Sequence, residues 1–130
     1  MAYEVQAGVS VSFKAGEDLS SAQFKFVKLD SSGEVVACTA VTDIPIGVLQ
    51  NTPTDGQIAQ VAVSGGTKVK AGGTAAPNDL INVSASATAV KLTAGSTGST
   101  SYVVGRFLAD AAAGATVSAV IDCANPARGA

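Results

Sequence analysis

The sequence predicts an all-β protein, a small β-barrel or sandwich of about ten short strands. Three observations carry this. Apolar residues recur with a period of two almost throughout, turn residues punctuate the chain at short intervals, and only two stretches suit even a single helical turn.

The first strand is an alternation in which Val5, Ala7, Val9, Val11 and Phe13 share one face and Gln6, Gly8, Ser10, Ser12 and Lys14 the other. Val9 to Phe13 are expected in the core. Phe24 and Phe26 mark a second strand that ends at Asp30-Ser31-Ser32-Gly33, a turn in which Asp and Ser bond their own backbone. Glu34 to Val41, Ile46 to Gln50, Ile58 to Ser64 and Lys68 to Ala71 follow as strands, the last two joined into a tight hairpin by Ser64-Gly65-Gly66-Thr67. Leu80 to Ser84, Ala89 to Thr93, Tyr102 to Leu108 and Thr116 to Cys123 complete the set. The two stretches suited to a helical turn are Asp18 to Gln23 and Ala109 to Ala113. Residues 93–101 are expected to form a polar Gly-Ser-Thr surface loop, and Asn125 to Ala130 read as unpaired.

A repeat runs through this pattern. Ile46-Gly47-Val48-Leu49 returns as Val104-Gly105-Arg106-Phe107, a shift of 58 that also carries Gly56 onto Gly114 and Val61-Ala62-Val63 onto Ala119-Val120-Ile121. Asp18-Leu19 is echoed by Asp79-Leu80. The expected organisation is an N-terminal arm (1–8), one β domain (9–123) holding similar units at about 15–65 and 76–123, and a C-terminal tail (124–130).

Composition narrows the function. Charged residues are 14% of the chain, the net charge is −2, and there is no histidine. A near-neutral chain sets up no field for nucleic acid or an anionic membrane, so neither is expected as a partner. Without histidine the commonest general base and metal ligand are missing. Cys38 and Cys123 are too few for a metal cage and read as buried free thiols, and the start of the chain reads as that of a cytoplasmic product.

Few residues stand in patterns that carry chemistry. Ser64 near Lys68 across the expected hairpin is an example of a Ser–Lys candidate, and it suits a solvated contact. The carboxylates, including the Glu17-Asp18 doublet, sit beside turn residues and suit turn capping. Ala71-Gly72-Gly73-Thr74 lacks the Gly-Lys-Ser/Thr ending of a phosphate loop. Tyr3 and Tyr102 are the only tyrosines and there is no tryptophan, a thin basis for saccharide stacking. The expectation is a non-enzymatic chain with no catalytic residue, metal or cofactor. A carbohydrate-binding or adhesion module on a virion or cell surface is the alternative to a structural protein.

The order Lys14-Ala15-Gly16-Glu17-Asp18-Leu19, Phe26-Val27-Lys28-Leu29-Asp30, Ile46-Gly47-Val48-Leu49-Gln50-Asn51 and Gln60-Val61-Ala62-Val63-Ser64-Gly65 resembles the capsid cement (decoration) proteins of tailed bacteriophages. Thr67 to Gly73, Asp79-Leu80, Tyr102 to Gly105 and Ala112-Ala113-Gly114 continue the resemblance, colinear from about residue 5 to 123. The Gly-Ser-Thr loop and the tail at Cys123 depart from the pattern. The resemblance implies a protein made in the host bacterial cytoplasm that binds the outer surface of the assembled head. There it would bridge major capsid protein subunits, commonly as a homotrimer. Ala2, Tyr3, Glu4 and Val5 are the candidate capsid-contact arm, since a terminal alternating segment can add as a strand to a neighbour's sheet edge.

Overall fold

A computed structural model describes residues 8–92, 101–124 and 127–129. The protein is all-β, as its period-two pattern predicts, with no helix among the described residues. Eleven strands follow in chain order: β1 (Gly8–Lys14), β2 (Phe26–Leu29), β3 (Val35–Ala37), β4 (Gly47–Leu49), β5 (Ile58–Lys70), β6 (Leu80–Val83), β7 (Ala89–Lys91), β8 (Ser101–Val103), β9 (Gly105–Phe107), β10 (Thr116–Asp122) and β11 (Ala127–Gly129). Nine make one sheet, and β8 with β11 makes a two-stranded one.

The long strand β5 organises the sheet. Its first half pairs antiparallel with β1, from Lys14 opposite Ile58 to Gly8 opposite Gly65. Its second half pairs with β10, from Asp122 opposite Ser64 to Thr116 opposite Lys70. From each half the sheet curls back on itself. β5 continues through β4, β2 and β3, and an Ala15–Val35 bridge returns to the end of β1. On the other side β10, β9, β6 and β7 lead back to β5 through an Ala71–Ala89 bridge. Two five-membered rings of strands therefore share one wall.

The rings repeat each other bond for bond. Ala15 N–H donates to Gln57 O and Ala71 N–H to Ala115 O, both at 2.8 Å. Phe24 N–H reaches Leu49 O at 2.7 Å and Asn78 N–H reaches Phe107 O at 2.8 Å; Phe24 and Asn78 both have positive φ, 65° and 77°. The Asp30–Glu34 turn matches the Ser84–Thr88 turn, with Ser84 Oγ taking the N–H groups of Ser86 and Thr88 as Asp30 Oδ1 takes those of Ser32 and Glu34. The glycines of the repeated motif have a packing cause: a Cβ on Gly47 would lie 2.3 Å from Ala62 O, and one on Gly105 2.1 Å from Val120 O.

Two interiors and a shared layer make the core. Leu19, Val27, Val35, Leu49, Ala59 and Val61 fill the first ring, with Phe13 packed against them. Ala75, Ile81, Ala89, Phe107, Val117 and Ala119 occupy the matching places in the second. Phe26, Cys38, Val48 and Ala62 come from the outside of the first ring, yet they are buried in the second ring's cluster beside Val83, Ala87, Val104 and Ile121. The two barrels are therefore packed together through an apolar layer.

Several local expectations are corrected. Gly65-Gly66 makes no hairpin: β5 runs straight through, and Gly65 (φ 101°) lets it pass where β1 and β10 both approach. The run Tyr102 to Leu108 divides into β8 and β9 at Val104, which turns into the inter-barrel layer. Residues 127–129, read as unpaired, form β11 on β8. Neither stretch suited to a helical turn holds one; Ala22 N–H to Leu19 O and Ala115 N–H to Ala112 O close simple turns. Asp18-Leu19 is not the counterpart of Asp79-Leu80. Leu19 N–H bonds Pro53 O as Ala75 N–H bonds Ala111 O, so Leu19 matches Ala75.

Candidate functional site

The candidate arm, Ala2, Tyr3, Glu4 and Val5, lies outside the described residues, as does most of the 93–101 loop. The strand that the arm leads into is described. Among the described residues β1 pairs with β5 alone, and its other edge meets the fold only at the Ala15–Val35 bridge beyond its end. An antiparallel strand with one free edge presents backbone N–H and C=O groups that another chain can pair.

The side chains along β1 follow from that open edge. Phe13 turns inward onto the first core, but Val9 and Val11, on the same face by alternation, are 54% and 38% exposed. The expectation that Val9 to Phe13 are all core is corrected: with no strand beyond β1 among the described residues, the face of its outer half stays uncovered. A bulge adds to this, since Val9 stands opposite Ser64 and Ser10 opposite Ala62, leaving Val63 as the extra residue on β5. Gln60 Nε2 donates to Ser12 Oγ at 2.8 Å, and Lys14 pairs with Glu34 at 3.3 Å, so the strand is tethered at its far end.

The polar groups considered for catalysis are placed differently from a reactive site. Ser64 and Lys68 stand four residues apart on one extended strand, on the order of 13 Å along its axis, because the hairpin that would have joined them does not form. Carboxylates bind backbone donors: Glu17 Oε2 takes Ala37 N–H, Asp18 Oδ1 takes Ser20 N–H, and Asp79 Oδ2 takes Ala76 N–H. Burial works against the charge on Asp43, but the Thr39 N–H, the Lys28 ammonium at 3.0 Å and the Ala40 N–H outweigh it and hold its pKa below the usual value. Among the described residues no three His, Cys, Asp or Glu side chains gather as metal ligands.

Cys38 and Cys123 are free and buried, as the sequence reading expects. Burial, with a smaller push from Asp43, raises the Cys38 pKa to about 12; burial, with Cys38 and Asp122 adding to it, does the same for Cys123. Both stay protonated and unreactive near neutral pH. Among the described residues every aromatic ring is at least half-buried, Tyr102 lying against the second core, and no flat platform for a sugar stands out. No helix among the described residues is long and apolar enough to cross a membrane.

No family model matches the chain, and no curated protein does. Among solved structures, the chain is similar to the N base of the head fiber gp8.5 of bacteriophage phi29. That match has a TM-score of 0.64 and 22% identity, and covers 88% of this chain and 94% of the other. At that identity the likeness establishes a shared fold over nearly the full length of both chains.

Proposed function

We propose that this protein is a bacteriophage head protein of the decoration type, seated on the outer surface of the assembled capsid. In this reading it is non-enzymatic, binds the major capsid protein, bridges neighbouring subunits and works as a homotrimer. The observation that carries the reading is the near end-to-end likeness to the base of a phage head fiber, which agrees with the colinear cement-protein motifs of the sequence. The open edge of β1 supports it further, because the candidate arm enters the fold there and a free strand edge is a ready partner for a capsid subunit. A ligand that binds only the assembled shell stabilises it by mass action, and linking copies turns later contacts into intramolecular ones.

The test is to add the purified chain to emptied heads that lack it and follow co-sedimentation and thermal disruption. Saturable binding with a raised disruption temperature is expected, and heads that bind nothing overturn the proposal. Removing residues 2–7, which leaves β1 whole, is expected to raise the midpoint concentration for decoration; an unchanged midpoint overturns the arm as a contact. The identity of the structural neighbour favours one second reading, a base that seats another part on the head. Saturable binding with no gain in shell stability decides for that reading.

A further inference from the structure

The layer between the two barrels is built from faces that each barrel possesses, yet each barrel uses only one of them. The first barrel contributes the row Phe26–Val48–Ala62, side by side across β2, β4 and β5. At the matching positions of the second barrel stand Leu80, Arg106 and Val120, side by side across β6, β9 and β10. Phe26 is 0% exposed because it faces the second barrel; Leu80 is 38% exposed.

The receiving face is duplicated in the same way. Val83 of the second barrel is 2% exposed under the first barrel, and its counterpart Leu29 is 42% exposed. Ala87, whose carbonyl takes the Phe26 N–H at 2.8 Å, has the exposed Gly33 as its counterpart at the same place in the matching turn. Across the layer Gln50 Nε2 also donates to Thr67 Oγ1 at 2.8 Å. The counterparts of that pair are Leu108 and Val11, both exposed and both apolar. The chain therefore carries one used copy and one vacant copy of each half of the contact. Of its exposed large apolar side chains, Leu80, Leu108 and Val120 fall on one vacant half and Leu29 and Val11 on the other. The first half carries the cation Arg106 and the second the carboxylate of Asp30 beside Leu29.

We infer that a second copy of this chain docks head to tail, the Leu80–Arg106–Val120 face of one copy packing on the Leu29–Gly33 face of the next as the two barrels pack within a chain. A contact of this kind is heterologous, so it continues from copy to copy until rotation closes a ring. It places the Lys14 end of β1 beside Asn78 of the preceding copy, as the counterpart Lys70 N–H donates to Phe24 O at 2.8 Å inside the chain. The inference deepens the self-association proposed above and rests on it.

The experiment is analytical ultracentrifugation of the purified chain without heads. The intact chain is expected to sediment as a closed oligomer, and Leu80→Asp and Leu29→Asp each as a monomer with the far-UV spectrum of the parent. Mixing the two variants is expected to return a one-to-one complex, since each retains the face the other lost. Ile58→Asp, exposed but outside both faces, is expected to leave the oligomer intact. If either substitution unfolds the chain, Leu108→Asp and Val11→Asp make the same pair of tests, as exposed members of the two faces. An oligomer that survives these variants, or a mixture that does not recombine, overturns the faces and leaves self-association standing. A monomeric intact chain overturns both, whatever its binding to heads.

Discussion

Phe26 donates its backbone N–H to the carbonyl of Ala87 at 2.8 Å, and this bond lies inside the apolar layer between the two rings of strands that share β5. The donor is the first residue of β2; the acceptor sits in the turn between β6 and β7, at φ 66°, a left-handed conformation unusual for alanine. The bond and the ring of Phe26 together make this position the centre of the inter-barrel contact.

Truncating Phe26 to alanine removes a fully buried aromatic from that layer. The expected cost is about 3–5 kcal/mol, read as a fall in the urea midpoint. Leu29→Ala, at the exposed end of the same strand, is expected to change the midpoint of the isolated monomer by less than about 1 kcal/mol.

Glycine at positions 47 and 105 is required by close backbone approach, so Gly47→Ala and Gly105→Ala each push a methyl into a carbonyl of the neighbouring strand. A loss of about 1–3 kcal/mol is expected for each, by the same unfolding measurement. Gly73→Ala is the control: a Cβ there meets nothing within 4 Å, and its stability is expected to stay within about 0.5 kcal/mol of the parent.

The buried thiols give the protein an alkaline limit. Their pKa is about 12 in the fold against 9.0 for a free thiol, so above pH 9 the unfolded chain releases protons that the folded chain keeps. Unfolding then becomes easier as pH rises, by about 1.4 kcal/mol per pH unit for each thiol until the folded value is reached. Comparing denaturation of the parent and of Cys38→Ala/Cys123→Ala between pH 8 and 11 isolates this slope, which the double variant is expected to lose.

Asp43 sets an acidic counterpart. Its pKa is held below 3.8, so its stabilising effect is present at neutral pH and is lost as pH falls below that value towards the folded one. Asp43→Asn is expected to cost about 1 kcal/mol at pH 7 and less than that at pH 3. Thermal unfolding at the two pH values reads this.

Much of the fold was legible because period two and turn chemistry are local. Asp30 and Gly33 announced their turn, and the Gly47 and Gly105 motifs marked matching strands. What failed depended on contacts between distant segments. Gly65-Gly66 carries the same residues whether a strand reverses or passes between two neighbours, and only the pairing of β1 and β10 on either side decides it. Phe26 and Leu80 are indistinguishable by pattern, yet one is buried against a second barrel and the other faces outward. For the site, the alternation of Val9 and Val11 was read correctly as strand but wrongly as core, because burial on an edge depends on a neighbour that the local sequence does not name.

The thirteen residues of β5 form a wall of each barrel without interruption. A tug on one half is handed directly along covalent backbone to the other, with no intervening hinge to stretch or swivel. The two halves are therefore expected to unfold as one unit, both belonging to the same nine-stranded sheet.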